Sequence, residues 1–146
     1  SMGNIDAFRD WGHAKDYVEM QWRMLQQDKP EDYVIATGVS TSVREFIELS
    51  AEALNWGGIN WEGQGINEIG RRSDNGDVVI KINPEFYRPA EVESLLGDAS
   101  KAHEKLGWKP QYKISDLVDE MINSDLILAN EEKQYNGDKN KSISTL

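Results

Sequence analysis

The sequence predicts a small, irregular α/β domain, mostly helices with a few short strands. Three observations carry that expectation. Apolar residues recur at helical spacing behind recognisable start signals. Short apolar or alternating runs, bounded by turn residues, read as strands. Only three or four strand candidates exist in 146 residues. A complete doubly wound nucleotide-binding sheet needs about five or six.

Taken in order, Ala14 to about Gln27 predicts the first helix. Ala14, Tyr17, Val18, Gln21 and Leu25 lie along one face, and Pro30 marks the stop. Tyr33-Val34-Ile35-Ala36, ended by Thr37-Gly38, predicts a buried strand. Ser42 with Glu45 three residues later is a capping box. The helix it opens places Val43, Phe46, Ile47, Ser50, Ala51 and Leu54 on one stripe, and Asn55 to Gly58 closes it. Ile59-Asn60-Trp61 predicts a short strand, and Glu62 to Gly76 a glycine-rich loop. Asp77 to Asn83 alternates, with Val78, Ile80 and Ile82 opposite Val79 and Lys81, and predicts another strand. Asp98 caps a helix from Ala99 to Leu106, with Gly107 in the stop position and Pro110 beyond. Ser115 is placed to cap a last helix whose apolar side carries Val118, Met121 and Ile122. From about Asn130 the chain is polar without periodicity, so residues 130–146 are expected to be a disordered tail behind a domain of residues 3–129. No internal repeat is visible. Ser1-Met2 reads as a cloning scar ahead of Gly3.

Composition narrows the function classes. Acids outnumber bases 26 to 16, a net charge of −10, which argues against nucleic acid or an anionic membrane as the main partner. A small anion remains possible, because local arginines outweigh a distant negative field once salt screens it. There is no cysteine, hence no disulfide framework, thiolate nucleophile or cysteine metal site. No apolar run approaches the roughly 20 residues of a membrane span. A cytoplasmic location fits.

Several motifs mislead. Gly63-Gln64-Gly65 resembles the start of a dinucleotide fingerprint, but Glu68 stands where the third glycine belongs and no helix is expected after it. Tyr135 and Lys139 have the Tyr-x-x-x-Lys spacing of a proton donor and its cation. The turn sequence Asn136-Gly137-Asp138 between them predicts that they share no helix face. His13, at a helix start, and His103, inside a charged helix, read as structural or exposed residues; a metal site is not expected.

Two segments hold candidate chemistry. In "RDWGHAKDYV", Arg9 precedes a turn at Trp11-Gly12 and a helix start. Its planar fork suits a phosphate, and it equally suits a pairing with Asp10 or Asp16. Asp16 is expected to tie down the turn or helix terminus. In "FYRPAEVE", Pro89 pushes Arg88 toward extended backbone. Arg88 and Glu91 then suit either a nucleotide sugar, guanidinium to pyrophosphate and carboxylate to ribose hydroxyls, or a plain salt bridge in a first helical turn. The residues alone leave both pairs of readings open.

Together, "RDWGHAKDYV", "DYVIATGVSTSVREFIE", "YRPAEVESLLGD" and "SKAHEKLGWKP", in this order and at these separations, resemble the C-terminal portion of the GDP-mannose 4,6-dehydratase family. That family sits in the extended short-chain dehydrogenase/reductase superfamily. The resemblance runs from Gly3 to about Leu126. It implies the substrate-binding domain of such an enzyme, without the Rossmann sheet. The implied reaction converts GDP-D-mannose to GDP-4-dehydro-6-deoxy-D-mannose, on the way to GDP-fucose. A tightly held NADP takes hydride from C4, water is eliminated across C5 and C6, and the hydride returns at C6. The resemblance also implies that Arg9 and Arg88 contact the diphosphate and that Glu91 holds the ribose. The family's cofactor turn, catalytic threonine and glutamate, and Tyr-x-x-x-Lys find no match here. The expectation is therefore a lyase fragment without chemistry of its own, whose NADP is bound by a missing Rossmann domain and which forms a homo-oligomer when complete. Rival readings are a stand-alone binding or assembly module, and part of a sister epimerase or 4-keto reductase.

Overall fold

A computed structural model describes residues 1–87 and 95–143, with side chains described as far as residue 136. Strand β1, Phe8–Asp10, pairs antiparallel with β2, Ser40–Ser42, in the register Phe8↔Ser42, Arg9↔Thr41 and Asp10↔Ser40. Helix α1, Ala14–Leu25, fills the space between them in sequence. Helix α2, Val43–Ala53, leaves β2 without a loop, because Ser42 is at once the last strand residue and the N-cap. Its hydroxyl accepts the Glu45 N–H at 3.1 Å. The expected closure follows, with positive φ at Asn55, Gly57 and Gly58.

The stretch after α2 corrects the expected loop. Strands β3, Ile59–Glu62, β4, Ile69–Arg72, and β5, Val78–Lys81, form an antiparallel meander in that order. β4 was hidden because its sequence, Ile-Gly-Arg-Arg, shows no alternation. The glycine explains itself in three dimensions. A Cβ on Gly70 would lie 2.9 Å from Ile59 Cγ2 and 3.0 Å from both Ile80 Cβ and Trp61 Cζ3. Guanidinium groups lie over the rings, Arg72 of β4 4.4 Å from the Trp56 centroid and Arg44 of α2 4.5 Å from that of Trp61. Gly63 to Gly65 leads into a single 3-10 turn, Gly65–Asn67.

The core sits between α1 and α3, Ser100–Leu106. Met20, Ala102 and Trp108 are fully buried, with Tyr17, Met24, Tyr33, Ile35 and Leu106 around them. Gly107 ends α3 at φ 63°, as its sequence position predicted, and the Asp98 carboxylate takes the Ser100 N–H at 2.9 Å. The face assigned to α1 needs correction. Asp16 and Met20 are its buried residues; of the expected face Tyr17 packs on the core, whereas Val18 and Leu25 are 62% and 82% exposed. The helix carries two apolar stripes, and periodicity cannot say which one the core takes. Tyr33–Ala36, expected as a strand, packs on this core without pairing. Among the described residues, none of its backbone groups has a hydrogen-bond partner. No partner strand stands beside it among the described residues.

Asp16 closes the core. Its carboxylate, 2% exposed, accepts the N–H of Gln111 at 3.1 and 3.0 Å and that of Tyr112 at 3.1 Å. Its carbonyl accepts Trp108 Nε1–H at 3.1 Å. Helix α4, Ile114–Ile143, then packs against α2. It begins before Ser115, which is therefore no cap; Asp116 takes the Lys113 N–H at 2.8 Å instead. It also runs past Asn130 where a disordered tail was expected, and past Asn136 to Asp138 where a turn was expected. That stretch holds no proline, and a single glycine costs a helix only about 1 kcal/mol.

Two outcomes follow from this packing. Asp16→Ala strands two backbone donors in the joint before α4 and should lower unfolding free energy by roughly 3 kcal/mol, Asp16→Asn by less, because an amide oxygen still accepts. Urea titration checks this; equal stability of Asp16→Ala and the parent would refute it. Gly70→Ala should cost about 1–3 kcal/mol by overpacking the meander. The measurement is the same, and an unchanged midpoint would show that the three neighbours yield freely.

Candidate functional site

The sequence candidates fare differently. Arg9 is described, on β1. Arg88 and Glu91 lie outside the described residues. The Arg9 guanidinium donates to the Phe8 carbonyl through Nη1 at 2.6 Å. The two acids first weighed as its partners are engaged elsewhere: Asp16 at the α3–α4 joint, and Asp10 at the approach to β2. Asp10 accepts the Thr37 N–H at 2.8 Å, the Thr37 hydroxyl at 2.6 Å and the Gly38 N–H at 2.9 Å. Gly38 has φ 74°, which favours glycine, and the loop it allows turns both N–H groups toward one carboxylate. Asp10 thus fixes the approach to β2, and so the ribbon that carries Arg9.

Arg9 lines a cleft of about 350 Å³ with Asp10, Tyr17, Ala36, Leu95 and Leu96 among its walls. The chain enters this cleft from the segment that carries Arg88 and Glu91 in sequence. Its first described residue there, Leu95, donates its N–H to the Phe8 carbonyl at 3.3 Å, next to Arg9. Gly97 lies against Ala36 so closely that a Cβ would fall 2.2 Å from the alanine methyl.

Tyr17 was read from sequence only as a helix-face residue. Burial, then the charges of Asp10 and Asp16, push its phenol above the ordinary tyrosine range, so it is a proton donor at neutral pH. The sequence signal that escaped notice is Gly12, five residues earlier. Its Cβ would stand 2.0 Å from the Tyr17 hydroxyl and 2.2 Å from Cζ, so no other residue lets the ring pass.

A second cleft of about 460 Å³ is walled by Trp11, Val39, Thr41, Tyr112 and Ile114. Trp11 is fixed there, its Nε1–H on the Thr41 carbonyl at 3.2 Å and its ring 4.9 Å from that of Phe46.

His13 is structural, as read. It caps α1 by accepting the Lys15 N–H at Nδ1, 3.1 Å, stacks on Tyr112 and meets Glu120 through Nε2 at 3.2 Å. Lys15 and then His13 hold the exposed Glu120 carboxyl below its usual range. His103 is exposed. The Gly63–Gly65 turn leads into no helix N-terminus, so it does not fit a dinucleotide pyrophosphate. Tyr135 and Lys139 do fall on one helix, α4, though the Lys139 side chain is outside the described set. Among the described residues, no helix is long and apolar enough to cross a membrane.

Comparison with known proteins places this geometry. A family model described as GDP-mannose 4,6 dehydratase matches residues 1–121. GDP-mannose 4,6-dehydratase of Vibrio cholerae is 56% identical over 138 residues, covering 88% of this chain and 37% of that protein. The Homo sapiens enzyme of that name is 54% identical over 128 residues, covering 88% of this chain and 34% of that protein. Solved structures with the same fold include RMD from Pseudomonas aeruginosa complexed with NADPH. It has TM-score 0.61 and 23% identity, and the match covers 84% of this chain and 34% of that one. UDP-glucose 4-epimerase from Thermotoga maritima with UDP-glucose has TM-score 0.61 at 21% identity, over 84% and 33% of the two chains. The chain thus spans about a third of the length of the curated relatives it matches. By the extent of the family match and by identity above one half, the chain belongs to the GDP-mannose 4,6-dehydratase family.

Proposed function

We propose that this chain is the nucleotide-sugar-binding part of a GDP-mannose 4,6-dehydratase. In that reading it holds GDP-D-mannose while the enzyme forms GDP-4-dehydro-6-deoxy-D-mannose. Arg9 and Arg88 grip the diphosphate and Glu91 accepts from the ribose hydroxyls. The observation that carries the reading is the Leu95 hydrogen bond to the Phe8 carbonyl. It ties the end of the sequence segment bearing Arg88 and Glu91 to the strand bearing Arg9. Two arginines converging on a pyrophosphate supply parallel donor pairs and charge in a half-enclosed cleft, where both are worth more than in open water.

No residue of this chain is assigned to NADP or to acid–base steps. Hydride chemistry is supplied by the cofactor on a Rossmann domain, and this chain's share is binding and orientation. The surface supports such a partner domain. Trp22, Val34, Leu95 and Leu96 are exposed, and Tyr33–Ala36 offers an unpaired backbone beside them. A homo-oligomer in the cytoplasm belongs to the same proposal.

Incubated with GDP-mannose and NADP, the 146-residue chain alone should show no turnover, because general acid–base chemistry needs positioned groups it does not offer. Product formation by the pure chain would sink the reading. In the complete enzyme, Arg88→Ala should weaken GDP binding by roughly 2–5 kcal/mol, Arg88→Lys by less, and neither should change NADP binding. Calorimetry decides: if Arg88→Ala binds GDP as the parent does, Arg88 is a salt-bridge residue only.

A further inference from the structure

The Tyr17 ring and the Tyr17 oxygen occupy different environments. The ring packs on the Met20–Ala102–Trp108 core. The oxygen lies over Gly12, and Tyr17 lines the same cleft as Arg9. Among the described residues no hydrogen bond engages the hydroxyl. Tyrosines this well packed usually spend their hydroxyl on a protein partner. Asp10, whose charge acts on the phenol, is already engaged by Thr37 and Gly38. Gly12 keeps the way clear, since any side chain there would collide with the phenol. A rigid hydrogen-bond donor is therefore held at the Arg9 cleft without an acceptor among the described residues.

We propose that Tyr17 is a further diphosphate contact: its hydroxyl donates to a non-bridging phosphate oxygen of the nucleoside diphosphate that Arg9 grips. This rests on the nucleotide-sugar reading above. The chemistry suits the place. Beside the carboxylates of Asp10 and Asp16 the phenol stays protonated, and it meets an anion without bringing charge of its own. The ring is fixed by core packing, so little rotamer freedom is lost when the bond forms.

The test is Tyr17→Phe in the full natural polypeptide carrying this sequence, titrated calorimetrically with GDP and with guanosine, alongside Arg9→Lys. The phenylalanine keeps the ring and its packing. The expected result is about tenfold weaker GDP binding, in line with a hydrogen bond to a charged acceptor, with guanosine binding unchanged and Arg9→Lys also weaker for GDP. Parental GDP affinity in Tyr17→Phe with a loss in Arg9→Lys would overturn the Tyr17 role and leave the Arg9 reading intact. Parental affinity in both, or no GDP binding by the parent, would remove both. Equal losses for GDP and guanosine would make Tyr17 structural, and the proposal would fall.

Discussion

The Asp16 carboxylate accepts the backbone N–H groups of Gln111 and Tyr112, 95 and 96 residues away, from inside the first turn of α1. Most other placements follow from that tie. It holds the approach to α4 against the start of α1, while the Asp16 carbonyl receives the Trp108 indole and so seats the largest core side chain. A carboxylate out of water is tolerated here because it accepts several hydrogen bonds and because it lies at a helix N-terminus, where the backbone dipole favours negative charge. His13, one turn earlier, caps the same terminus and reaches Glu120 of α4. These contacts join the beginning of α1 to the approach and first turns of α4.

The site inherits its geometry from that arrangement. α1 fixes the turn at Trp11-Gly12, the turn fixes β1, and β1 sets Arg9. Asp10 performs on β1 the task that Asp16 performs on α1, gathering backbone donors from a distant segment. Arginine and aspartate stand side by side with separate duties: Arg9 lines the cleft while Asp10 secures the ribbon. A net charge of −10 does not contradict an anion site under these conditions. Asp10, its neighbour in sequence, is engaged by three donors, and acids farther than about 8 Å are screened at physiological salt.

Local features were legible in the sequence, and non-local ones were not. The Ser42 cap, the Gly107 stop and the alternation in β5 each need only neighbouring residues, and each stands in the structure as the sequence implies. β4 was invisible because Gly70 is demanded by Ile59, Trp61 and Ile80 on other strands, information that a local pattern does not hold. The buried side of α1 was misassigned because Val18, Trp22 and Leu25 compete with Met20 and Met24 at equally good spacing. The length of α4 was underestimated because polarity was taken for disorder, although nothing in that stretch breaks a helix. At the candidate site, Arg9 is proposed from its motif, whereas Asp10 and Tyr17 take their meaning from Thr37, Gly38 and Gly12, contacts that only the folded chain brings together.

The second stripe of α1 bears on how the chain is used. A surface helix normally has one apolar stripe and a polar opposite face. α1 turns Met20 inward and leaves Trp22 and Leu25 outside, the latter 82% exposed. Tyr33–Ala36 repeats the pattern in its backbone: side chains partly packed, hydrogen-bonding groups unspent. An unspent strand edge is an aggregation hazard that natural proteins cover, pair or charge, and among the described residues this one is not paired. Two independent features, one of side chains and one of backbone, therefore ask for burial against further polypeptide. On the proposed function, in which the substrate meets a cofactor held on another domain, the contact that covers the apolar surface is also the one that would bring Arg9's cleft to the reacting centre.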